Sequence, residues 1–187
     1  MKKIVVLSFI LMTLLFAEAI DRTGPYIALG GGYSMFYDDA RLVENTDPSY
    51  NIDLIGGVFI NKYLSVELNF DYYDTFENSL GDTTDVYMIE AVAKAHYPVW
   101  RNRIDFYGAF GAGGMWWKEN LNNVSQEDNS GVVSGDLGMG IRALKWLTLN
   151  MGYRRYYFTL DHQDLDSSVT RYYMEVSSAY ANIEVQF

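Results

Sequence analysis

There is no cysteine among the 187 residues. Disulfides and thiolate metal sites are therefore excluded, and with them a lipid anchor, which needs a cysteine. Proline occurs three times and histidine twice. Lysine is almost as sparse: after Ile20 it appears only as Lys62, Lys94, Lys118 and Lys145. Beyond Phe16 no apolar run is long enough for a membrane-spanning helix. The formal net charge of −10 argues against nucleic acid as a partner.

The single apolar run is N-terminal. Met1-Lys2-Lys3 precedes an uncharged stretch from Ile4 to Phe16, and Ala17-Glu18-Ala19 follows as a small-x-small cleavage site. This is the layout of a secretory signal peptide. Its apolar stretch spans 13 residues, about 20 Å as a helix, well short of the roughly 30 Å hydrocarbon core. Residues 1–19 are thus expected to be removed, leaving residues 20–187 as one domain.

What the chain has in abundance is aromatic: 16 Tyr, 10 Phe and 4 Trp. Polar and apolar residues alternate through eight segments, near 26–36, 49–60, 64–73, 86–97, 104–117, 131–143, 147–159 and 170–187. Short connections at 61–63, 98–103 and 144–146 take turns with long ones at 37–48, 74–85, 118–130 and 160–169. Such a meander has its tight turns at one end and its loops at the other. The expectation is an all-β protein, an eight-stranded antiparallel up-and-down transmembrane β-barrel.

Alternation alone does not separate a membrane barrel from a soluble one turned inside out. One face reads Leu64, Val66, Leu68, Phe70, Tyr72, the other Ser65, Glu67, Asn69, Asp71. Lysine avoids the apolar face: Lys94 alone lies mid-strand, on the polar side. A Lys or Arg facing lipid at mid-bilayer costs about 2–4 kcal/mol, so the placement fits an apolar face against lipid. Aromatics gather at the strand ends. Tyr63, Tyr97, Trp100, Phe106, Trp146 and Phe187 mark the turn end; Phe36, Tyr72, Tyr73, Trp116, Trp117, Tyr156, Tyr157, Tyr172 and Tyr173 mark the loop end. Two interfacial girdles would give this pattern, whereas a soluble aromatic core would also put rings at mid-strand.

The entry strand Gly24–Ser34 (GPYIALGGGYS), the eight amphipathic segments and the terminal Phe187 together resemble the small OmpA-like and OmpX-like outer-membrane barrels of Gram-negative bacteria. The likeness covers the barrel only. It implies residence in the bacterial outer membrane, with contacts to membrane lipid and lipopolysaccharide. It also implies a C-terminal signal read by the barrel-assembly machinery, here Tyr180, Ile183, Val185 and Phe187. Asn182 departs from the glycine many members carry at that point.

The charges on the inner face are the most informative constellation: Asp53, Glu67, Asp71, Glu90, Lys94, His96, Asp105, Asp136, Arg142, Arg154 and Glu184. Paired residues must face the same side, so each tight turn sets a register. Closing 144–146 puts Asp136 opposite Arg154, and closing 98–103 puts His96 opposite Asp105. Glu67 and Lys94 fall at similar height. Closing 61–63 sets Asp53 against Asp71, a like-charge pair that needs a cation, a shared proton or a neighbouring base such as Arg154. These residues are expected to form a salt-bridge network plugging the barrel, because unpaired charge is costly to bury.

No catalytic group, metal cluster or cofactor motif emerges. His162 lies in the last loop among Asp161, Asp164, Ser167 and Ser168, without the strand-anchored spacing of lipid A deacylases. The loops are acidic, with Asp38, Asp39, Glu44, Asp47, Asp74, Glu77, Asp82, Asp85, Glu119, Glu127 and Asp128. A hydrated rim explains them more simply than a divalent-cation site. The expected role is structural or surface-interacting, through loops that contact lipopolysaccharide or a host ligand, in a monomer. A small-solute pore or OmpW-like conduit is the alternative, and a lipid A-modifying enzyme the third.

Overall fold

A computed structural model describes residues 22–38, 48–77, 83–121, 124–163 and 169–187. The expected signal segment, residues 1–19, lies outside these. Eight strands follow one another: β1 (Gly24–Asp38), β2 (Ser49–Asn61), β3 (Leu64–Glu77), β4 (Thr83–Val99), β5 (Ile104–Leu121), β6 (Val124–Leu144), β7 (Leu147–Gln163) and β8 (Val169–Gln186). Each pairs antiparallel with its neighbour, and β1 pairs with β8 from Tyr26↔Gln186 to Asp38↔Met174. The barrel is therefore closed and has no free sheet edge. Among the described residues no helix is long and apolar enough to cross a membrane.

The period-two pattern becomes two faces. Leu68, Phe70, Leu137, Met151 and Ile183 point outward with large exposed areas, whereas Ser65, Glu67, Asn69 and Asp71 on β3 are buried. A water-soluble protein would reverse this arrangement. Ile183 and Phe187 face outward, while Tyr180, Asn182 and Glu184 face the interior. The Phe187 amide donates to the Pro25 carbonyl at 3.0 Å, which fastens the last residue to the first strand.

Three expectations need correction. The connection expected over 118–130 is instead a hairpin, paired from Lys118↔Glu127 up to Leu121↔Val124. The strands reach 21 residues in β6, about twice what crossing a bilayer needs. Backbone pairing thus continues beyond the segments where apolar residues alternate. Four rings assigned to the loop-end girdle are not on it: Tyr73 and Tyr156 are fully buried inside, and Phe36 and Trp117 pack against the same interior cluster. Trp116, Tyr157 and Tyr173 stay outside, as do Tyr63, Tyr97, Trp100, Phe106 and Trp146 at the other end.

The β4–β5 register is the third correction. Trp100, Arg101 and Asn102 all adopt positive φ, at 48°, 57° and 60°. This left-handed run closes the turn more tightly than 98–103 implies. His96 consequently pairs with Tyr107, and Asp105 with Pro98. The shift is two residues, so the faces are conserved.

Close strand approach depends on Gly113 of β5. A Cβ there would collide with the Ile89 carbonyl oxygen and lie 2.6 Å from the Glu90 Cα. Those are backbone atoms of β4 and have little freedom to retreat. Gly113→Ala is expected to destabilise the barrel by about 1–3 kcal/mol, the cost typical of overpacking. Urea unfolding in lipid vesicles, followed by gel mobility of unboiled samples, measures this.

Candidate functional site

Interior side chains form successive layers along the barrel axis. Nearest the loop end is an apolar layer of Val86, Met88, Met115, Val132, Phe158, Met174 and Val176, joined by Tyr73 and Tyr156. The sequence analysis did not single it out, although Val86, Met88 and Met115 lie at inward-facing positions. An inward position need not be polar when other side chains rather than water fill the lumen.

The second layer centres on Arg154 of β7. Its Nε is 3.2 Å from Asp136 Oδ2, and its Nη1 lies 3.5 Å from Asp71 Oδ1 and 3.7 Å from Glu90 Oε1. Asp136 and Arg154 are direct cross-strand partners. Arg154 also donates to the Tyr156 hydroxyl at 2.8 Å, and its guanidinium lies 4.8 Å from the centre of the Tyr180 ring. Tyr180 donates to Asp136 Oδ2 at 2.7 Å, and Ser134 donates to Glu90. One base thus serves three carboxylates within a shell of hydroxyl donors. Asp53 faces Asp71 across β2 and β3, and it has no ion pair among the described residues.

Towards the turn end, Lys94 and Glu67 pair at 2.5 Å, and Tyr26 donates to the same carboxylate. They sit on a diagonal, since Lys94 pairs with Ser65 and Glu67 with Val92. The third layer holds His96, whose Nδ1 is 2.6 Å from Asp105 Oδ2 despite the shifted register. Its Nε2 is 2.8 Å from Ser65 Oγ. Arg22 completes this layer, paired with Asp105 and 5.2 Å from the Phe59 ring centre. Nearby, Asn150 donates to Glu184 at 3.2 Å and Arg142 donates to Gln186 at 2.5 Å.

Ser65, His96 and Asp105 have the hydrogen-bond order of a nucleophile triad. Ser65 is, however, fully buried and accepts the Tyr26 hydroxyl at 3.2 Å. Paired strands around it leave no convergent backbone N–H groups for an oxyanion. The arrangement ties β3, β4 and β5 to Arg22. The side chain of His162 lies outside the described residues. Among the described residues, no group of three or more His, Asp or Glu is arranged to hold a metal ion.

The sequence missed Arg22, because it precedes the first alternating segment. Tyr26, Tyr107 and Tyr180 were missed as network donors; their inward parity was the available signal. The four-member assembly set also divides: Tyr180 is inside, while Ile183, Val185 and Phe187 share the outer face or its edge. Arg155, near the loop end, is exposed on the outside, 3.4 Å from Glu175.

A closed eight-stranded barrel, apolar outside and charged within, matches a family model described as the outer membrane protein beta-barrel domain over residues 4–185. The chain belongs to that family. It is accordingly a bacterial outer-membrane protein whose apolar belt meets lipid. Solved structures agree on the fold. Neisserial surface protein A aligns with a TM-score of 0.72 at 15% identity, over 88% of this chain and 98% of that one. OprG of Pseudomonas aeruginosa gives 0.58 at 12% identity, over 91% and 100%. Ail, the attachment invasion locus protein of Yersinia pestis, gives 0.56 at 17% identity, over 89% and 99%. No curated protein sequence matches significantly.

Proposed function

We propose that this barrel is closed to solutes and serves the envelope structurally and as a surface for contact, acting as a monomer. The observation that carries this reading is the filled interior. An apolar layer, the Arg154 cluster, the Lys94–Glu67 pair and the Arg22–Asp105–His96 group occupy successive levels of the lumen. Eight strands leave room only for side chains, and here the side chains take it. After export by a cleaved signal, the assembly machinery would read the outward edge of Ile183, Val185 and Phe187.

Partners then meet the extracellular rim, where lipopolysaccharide surrounds the barrel. Ail has been crystallised with the heparin analogue sucrose octasulfate. The acidic loops here oppose a polyanion and favour a cationic protein surface, or phosphates bridged by divalent cations. Catalysis has no support in the buried Ser65–His96–Asp105 arrangement.

The second reading, a conduit for small apolar solutes, draws on Met88, Met115 and Met174 in the outer half of the lumen. Planar-bilayer recording separates the two. The closed barrel is expected to pass no steady single-channel current; stable large openings would rule it out.

A further inference from the structure

Asp53 of β2 lies in the second layer but is not among the carboxylates that Arg154 reaches. It is 1% exposed, and neither of its carboxylate oxygens has a hydrogen-bond partner among the described residues. The other three carboxylates of the layer have donors. Asp136 accepts Arg154 Nε at 3.2 Å and the Tyr180 hydroxyl at 2.7 Å. Asp71 accepts the Tyr156 hydroxyl at 2.9 Å, with Arg154 Nη1 at 3.5 Å. Glu90 accepts from Ser134, and from Asn69 Nδ2 at 3.4 Å.

The space around Asp53 is already filled. A Cβ on Gly30 would lie 2.8 Å from Asp53 Oδ2, but also 2.4 Å from the Asn182 Cβ and 2.5 Å from the Ala181 carbonyl oxygen. Asn51 Oδ1 accepts from both Ser34 and Ser178 at 3.0 Å. The narrow cavity bounded by Asn51, Asp53, Asp71 and Arg154 leaves no room for a water molecule, and so none for a metal ion with its ligand shell. The described titratable groups that face the lumen here offer no free base. Asp71, Glu67 and Tyr73 stand on β3, Glu90 and Lys94 on β4, Tyr107 on β5 and Asp136 on β6. Arg154 and Tyr156 come from β7, Tyr180 and Glu184 from β8, and Tyr26 from β1. Lys94 is taken by Glu67, as is the Tyr26 hydroxyl.

A lone carboxylate buried without a donor is strongly unfavourable, and a group so placed neutralises instead. Its cross-strand partner is Asp71, so ionising Asp53 would also set two like charges on directly opposed residues of β2 and β3. From this arrangement we infer that Asp53 is a neutral carboxylic acid in the folded barrel at neutral pH, so that the lumen holds a bound proton and acid tightens the fold. A proton is the one cation that needs no space. In the unfolded chain the same side chain gives up its proton above about pH 4. From there up to the pH at which the folded Asp53 ionises, the barrel binds one proton more than the unfolded chain. Stability therefore falls as the pH rises through that window, by about tenfold in the unfolding equilibrium constant per pH unit.

The test refolds the full barrel into lipid vesicles with EDTA present and compares wild type with Asp53→Asn by urea unfolding. The amide copies the shape of the neutral acid and cannot ionise, and the comparison cancels every group the two proteins share. Between about pH 5 and pH 7 the ratio of wild-type to variant unfolding constants should rise about tenfold per pH unit, with the variant the more stable at the upper end. Parallel profiles, or a wild type that is the more stable at the upper end, would show an ionised Asp53 in the fold and overturn the inference. Should Asp53→Asn fail to fold, infrared spectroscopy of the wild type at neutral pH decides. The carbonyl band of a buried carboxylic acid is expected, and its absence overturns the inference equally.

Discussion

Arg154→Met is expected to lower the stability of the folded barrel by about 3–5 kcal/mol, the range for removing one partner of a buried ion pair. Arg154 is 3% exposed and its guanidinium reaches Asp71, Glu90 and Asp136 from three different strands. Methionine fills much of the volume but leaves three carboxylates without a counter-ion. Arg154→Lys should recover only part of the loss, since an ammonium lacks the planar fork that contacts several acceptors at once. Urea titration in lipid vesicles measures both variants. A double-mutant cycle with Asp136→Asn checks the cause: the second substitution should cost less in the Arg154→Met background than in wild type. Strict additivity would show that Arg154 acts by filling space.

Charge on the outer surface gives the second large effect. Leu68 is 57% exposed and lies on β3 between the outward-facing Val66 and Phe70. In a lipid bilayer Leu68→Arg should cost about 2–4 kcal/mol, as expected near the midplane. Trp146→Arg, at the turn end, removes a girdle ring but sets its charge where headgroups and water reach it, for which about 0–1 kcal/mol is the charge cost. The same vesicle-unfolding assay compares them. Equal penalties at the two positions would contradict the placement of the lipid belt.

Strand number and facing were legible because the membrane imposes them residue by residue. Lipid on one side requires an apolar side chain at every second position, and Leu64 through Phe70 spell that out without reference to any other strand. The same logic failed at the loop end. There, Tyr73 and Tyr156 look like girdle residues by position alone, yet their parity turns them inward to pack with Met88 and Phe158. Along 118–121 and 124–130 the chain is still paired, but no apolar alternation records it.

Register was recoverable where the turn was simple. Closing 144–146 and 61–63 set Asp136 against Arg154 and Asp53 against Asp71, and the structure has both pairs. Each of these turns carries only a bulge at its edge. At 98–103 the three positive-φ residues tightened the turn, and with glycine absent only Asn102 is of a type that favours such a conformation. His96 and Asp105 meet regardless, because a diagonal neighbour lies within reach of a long side chain.

The sequence by itself determined that this chain spans the outer membrane as eight strands, and which side of each strand meets lipid. Those properties follow from local alternation and from the bilayer, which is the same solvent for every strand. Which charges neutralise one another was decided only by closing the barrel. Arg22 and Asp105 stand 83 residues apart in the chain, Tyr156 and Asp71 85 apart. Bringing β8 onto β1 places Asn51 beside Ser178, 127 residues away. Such contacts depend on circumference and axial height together, and a linear pattern of polar and apolar residues encodes neither.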